Sequence, residues 1–90
     1  MPKTEVINNS SGEFGGYLIF CPGCKTHHLF DSRWSFNGDF EKPTFSPSML
    51  VNQHDSGSRC HSFVSEGKIQ FLSDCFHELA NKTVELPDID

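Results

Sequence analysis

Cys21 and Cys24 stand three positions apart in FCPGCKTHH, residues 20–28, and His27 and His28 follow at once. A Cys-x-x-Cys turn suits zinc because its short loop lets both sulfurs face one ion, at about 2.3 Å each, while backbone amides support the thiolates. Two ligands do not complete a site, and the rest of the chain offers Cys60, His61, Cys75 and His77. Two β-prone runs flank Glu66-Gly67, and a two-residue turn there pairs Val64 with Ile69, Ser62 with Phe71 and Cys60 with Ser73. That register brings Cys60 beside Cys75. Cys21, Cys24, Cys60 and Cys75 are therefore the expected ligands, with His28, His61 and His77 as alternates, because Cys60-His61 and Cys75-Phe76-His77 each offer either donor type.

Other chemistries fit the same residues less well. A Cys60–Cys75 disulfide has a plausible geometry, and either thiol can serve as a buried hydrophobe. A redox dithiol normally opens a helix, where the dipole activates one sulfur, whereas KTHHLF after Cys24 has strand character and CPGC reverses the Gly-Pro order of thioredoxins. Metal-dependent hydrolysis would use His28, His61 or His77 as ligands or proton carriers. The His-x-Glu and His-Glu-x-x-His signatures of zinc hydrolases are nevertheless absent, His77-Glu78 being the sole His-Glu pair. His27 and His54 fall in no metal-ligand pattern. Trp34, Phe36, Phe40 and Phe45 lack the surrounding cations of a base-stacking platform and read as core.

The elements that must position these residues are short. A chain of 90 residues encloses one modest core, and nine Phe concentrate its apolar content in rings. Cores of this size commonly recruit a metal. The formal charge of −5, with basic residues scattered singly, speaks against nucleic acid as a partner. The sequence shows no secretory leader and no apolar run of membrane-spanning length, so a cytoplasmic protein without membrane contact is expected, where Cys spacing points to metal chemistry. Residues 1–15 read as a flexible segment that includes a short strand at 4–8, and residues 16–90 as a single zinc-binding domain. YLIF, HHLF and RWSF read as strands, Asn37-Gly38 as a tight reversal, and EKPTFSPSMLVN, which its prolines confine to an edge or a bulged position, as a rim strand. SDCFHELAN reads as a short C-terminal helix, with Cys75 in its first turn, before a last strand in KTVEL. The expected class is α+β, mostly β: a strand-rich domain with a zinc knuckle and one helix.

The segments FCPGCKTHH, WSFNGDFEKPTFSPSML and CHSFVSEGKIQFLSDCFHELANKTVELPD together resemble a family of small phage and prophage proteins of unknown function, often labelled "ammonia monooxygenase". The likeness covers nearly everything after residue 16, and departs at Asn81, where that family would carry Gly. It implies a role for Cys21, Cys24, His28, Cys60, His61, Cys75 and His77, along with the NGD and PTFSPS segments. It also implies phage origin and an accessory role with a protein of host or phage as partner, while the monooxygenase label demands membrane spans and length that this chain lacks. The expectation at this level is a zinc-stabilised, phage-type accessory protein that acts by protein binding without catalysis. The alternatives are a zinc-dependent hydrolase using the spare histidines and a dithiol redox protein.

Overall fold

Period-two alternation of apolar and polar residues builds both sheets of the computed structural model, which describes residues 2–89. Strands β1 (Glu5–Asn8), β2 (Phe14–Cys21) and β3 (Thr26–Phe30) form one antiparallel sheet in that order. Strands β4 (Ser35–Phe36), β5 (Phe45–Val51), β6 (Cys60–Ser65), β7 (Lys68–Phe71) and β8 (Thr83–Glu85) form the second, again in chain order and antiparallel. Ile19, Cys21, His28 and Phe30 line the inner face of the first sheet, and Phe45, Met49, Cys60, Val64, Ile69 and Phe71 that of the second. Phe30 and Phe45 join the two faces by stacking, with ring centroids 4.1 Å apart and planes 3° from parallel. The sulfur-bearing residues of both sheets lie at the end of the core beyond these rings.

The β6–β7 hairpin has the expected register, Ser62 opposite Phe71 and Val64 opposite Ile69. Its turn residues Glu66 and Gly67 both take positive φ, 51° and 80°, as a reversal matched to the strand twist requires. Asn37-Gly38 behaves differently. Gly38 alone of the pair has positive φ, and the side-chain oxygen of Asn37 accepts the N–H groups of Asp39 and Thr44, holding open a loop over 37–44 in place of a tight reversal. β5 is bulged, one of the two placements its prolines allow, and β4 pairs with its first two residues, Phe45 and Ser46.

The expected C-terminal helix is absent, and the fold is all-β with no helix among the described residues. Residues 72–82 form successive turns instead. The N–H of Phe76 crosses to the carbonyl of Arg59, Cys75 bonds the main chain of His61, and the N–H of Leu79 goes to the His77 ring. The Phe76 and Leu79 donors that a helix would use internally are thus committed to Arg59 and to a side chain, which outweighs local helix propensity of a few tenths of a kcal/mol per residue.

Phe45→Ala removes the ring that bridges the sheets and should cost about 3–5 kcal/mol in denaturant unfolding. A loss below about 1 kcal/mol would show that the stack is not central to the core.

Candidate functional site

Along β6 the side chains alternate across the sheet, so Cys60 points into the core and His61 points out. Cys60 meets Cys21 at the end of β2, Cys24 in the following turn and His28 on β3, and the four ligand atoms lie within 4.8 Å of one another. Cys21 Sγ and Cys60 Sγ are 4.0 Å apart, and the N–H of Cys24 donates to Cys21 Sγ over 3.4 Å. The positive φ of Lys25, 59°, turns the chain out of this knuckle into β3. The donor set fits a soft divalent ion. His28 Nε2 is buried and has no hydrogen-bond partner, a costly state that a coordinate bond would relieve.

The thiols interact strongly. The hydrogen bond from Cys60 holds the Cys21 thiol down to about 4 against the opposing effect of burial, with His28 contributing. The same bond, with burial, pushes Cys60 up, and burial raises Cys24 to about 11, abetted by the charge on Cys21. The titrations are linked, so ionising one of these sulfurs disfavours ionising the next. A bound cation would remove that conflict, since it deprotonates each coordinating thiol.

Two further side chains brace the cluster. His77 Nδ1 accepts the N–H of Leu79 at 3.3 Å, which leaves the ring proton on Nε2, 3.5 Å from Cys60 Sγ and oriented to stabilise a thiolate. The ring lies against the knuckle so closely that a Cβ at Gly23 would collide with its Cε1, so only glycine fits there. Cys75 Sγ accepts the His61 N–H at 3.3 Å and donates to the His61 carbonyl at 3.2 Å, clamping that residue's main chain. Cys75 also forms a second possible donor group with Cys60 and His77.

On the outer face, His61 Nε2 lies 3.1 Å from Ser48 Oγ, and His61 Nδ1 lies 3.3 Å from Asp74 Oδ2. A carboxylate only accepts, so Nδ1 carries the proton toward Asp74 and Nε2 accepts the Ser48 hydroxyl. This is the connectivity of a Ser-His-Asp triad. The bulge presents the serine: between the Phe45–Val64 and Met49–Ser62 pairs, β5 takes four steps where β6 takes two, and Ser46, Pro47 and Ser48 arch out of the ladder. Trp34 Nε1 donates to the Ser48 carbonyl at 3.4 Å and steadies the arch. The His61 and Asp74 side chains are 26% and 37% exposed, open enough to meet a substrate.

Of the expected ligands, Cys21, Cys24 and Cys60 come together with His28, one of the alternates, while Cys75 and His77 meet Cys60 from the other side. His61 turns away from the sulfurs to Ser48 and Asp74. His27 stacks edge-on against Phe20, and exposed His54 pairs with Gln53. Sequence reasoning gave neither Ser48, met there only as the last residue of the PTFSPS segment, nor Asp74 a role of its own. The available signal was Pro47, which marks a bulge in the strand that pairs with the one bearing His61.

The profile of the family described as the bacterial ubiquitination-like system serine protease (BubE) matches residues 1–72, and the chain belongs to that family. The match includes Ser48, His61 and three of the four cysteines, and ends two residues before Asp74. No curated protein and no solved structure matches the chain significantly.

Protein purified without added metal should carry about one divalent ion per chain by elemental analysis, and Cys60→Ser or His28→Ala should lose it. Retention in His28→Ala together with loss in Cys75→Ser would move the fourth ligand position to Cys75.

Proposed function

We propose that this chain is a serine peptidase in which Ser48 is the nucleophile, His61 the general base and Asp74 the group that orients it. The observation that carries this reading is the hydrogen-bonded series Ser48–His61–Asp74 on one open sheet face. Ser48 Oγ attacks the scissile carbonyl as His61 Nε2 takes its proton, and Asp74 stabilises the resulting imidazolium. His61 passes that proton to the leaving amine as the C–N bond breaks, which leaves an acyl ester on Ser48. Water, deprotonated by His61, then cleaves the ester; the acid departs and Ser48 recovers its proton. The family description supports serine-dependent proteolysis, and it favours as substrate a protein of a bacterial ubiquitination-like system.

The metal in this proposal is zinc, bound by Cys21, Cys24, His28 and Cys60. Three sulfurs and one imidazole are a structural zinc set. When bound, zinc balances the thiolate charge and links the two sheets. The triad needs no metal-bound water, and His61 has its proton-transfer partner in Ser48. This differs from a zinc hydrolase, in which the spare histidines would serve the ion, and the triad favours hydrolysis over protein binding alone. All four cysteines are free thiols, which suits action in a reducing cytoplasm. No helix among the described residues is long and apolar enough to cross a membrane.

A fluorophosphonate probe should attach to Ser48, as read by peptide mass spectrometry. Ser48→Ala should abolish attachment while retaining the metal, and Asp74→Asn should slow it by about 10³-fold or more because the imidazole loses its orienting acceptor. Attachment elsewhere, or unchanged labelling in His61→Ala, would refute the triad.

A further inference from the structure

The outward residues of β6 are His61, Phe63 and Ser65, and across the ladders they face Leu50 on β5 and Gln70 and Lys68 on β7. On a sheet with one face in water these positions are normally polar. Four of the six obey that rule. Leu50 and Phe63 break it, at 41% and 42% exposure, and both adjoin His61. Leu50 is its direct cross-strand partner, a relation that sets Cβ atoms about 4.5–5.5 Å apart. Phe63 is the next outward residue on the same strand, about 7 Å along it.

The other exposed large hydrophobics occupy different ground. Val6, Phe14 and Leu29 belong to the first sheet, Phe40 lies in the 37–44 loop and Phe76 in the 72–82 turns. Phe14 and Phe40 already have a ring partner in Tyr17. Leu50 and Phe63 are the ones that share the face of the triad base. Phe63 also forms part of the wall of an open depression of about 800 Å³ over β6–β8, whose rim carries both Lys68 and Glu85 and so has no dominant charge sign.

We propose that Leu50 and Phe63 form the side-chain subsite of the peptidase and take a bulky apolar substrate residue adjoining the scissile bond. This rests on the triad assigned above. A peptide whose carbonyl reaches Ser48 Oγ lies over His61, and a leucine- or phenylalanine-sized side chain flanking that carbonyl can reach both apolar groups. Desolvating such a side chain between them favours it over glycine or a charged residue, which leaves the apolar surface wet or buries a charge. The rest of the peptide extends over Phe63 into the depression, where mixed charge selects little.

The test is cleavage of a proteome-derived peptide library, with the residues on both sides of each cut read by mass spectrometry, beside fluorophosphonate labelling of Ser48 in the same samples. Wild type should enrich Leu, Phe, Ile or Met at one position adjoining the cut by about tenfold or more. The Leu50→Ala, Phe63→Ala double variant should lose most of that enrichment while Ser48 is still labelled, which also shows that the variant is folded. Labelling of wild type with no apolar enrichment, or equal enrichment in the double variant, would overturn the subsite and leave the triad standing. A change in oligomeric state with unaltered selectivity would assign the patch to contact between copies of the chain and overturn it likewise. Absence of wild-type labelling would remove the triad and the subsite together.

Discussion

The period-two alternation of β6 is the constraint on which the molecule depends. It sends Cys60 inward to the sulfur cluster and His61, the next residue, outward to Ser48. A slip of one residue in the pairing of this strand would exchange the two, placing an imidazole among the thiols and a thiol beside the serine. The register is fixed from both sides, by the hairpin to β7 and by the Leu50–His61 and Val51–Cys60 pairs with β5. The same juxtaposition recurs at Asp74-Cys75, where the carboxylate holds the His61 ring and the thiol holds its main chain. Cluster and triad are thus built back to back on shared backbone.

This arrangement suits a chain with little core to draw on. Among the described residues ten buried ones form the central cluster, and two of them, Cys21 and Cys60, are thiols. At the Phe30–Phe45 end the sheets are joined by ring stacking. At the other end the inner residues are Cys21, His28 and Cys60, groups that repel or strand one another unless a cation collects them. A metal there would contribute cross-sheet linkage that aliphatic packing would otherwise have to supply.

Much of the site was legible in the residues, though unevenly. The β6–β7 hairpin could be placed because Glu66-Gly67 leaves a two-residue turn as the natural solution, and with that register the strand's alternation follows. The knuckle was legible because its two thiols are local. SDCFHELAN misleads because its composition favours a helix, whereas its N–H groups and its thiol are drawn to Arg59 and His61, partners distant in sequence. Ser48 and Asp74 each lie 13 residues from His61, in segments with no spacing motif to mark them. A triad is a spatial pattern, and only the β5 bulge and the folded-back 72–82 turns bring its members together. The extra histidines were visible, but their division between the sulfur cluster and the Ser48–Asp74 series depends on which face of β6 each one approaches.

The claim that the sulfur cluster holds the triad in place is tested most directly by the rate of Ser48 modification by a fluorophosphonate in one preparation, compared before chelation, after chelation and after zinc is returned. The account requires the rate to collapse when the ion is removed and to recover when it is restored. Protein shown by elemental analysis to be metal-free, yet modified at Ser48 at the original rate, would contradict it.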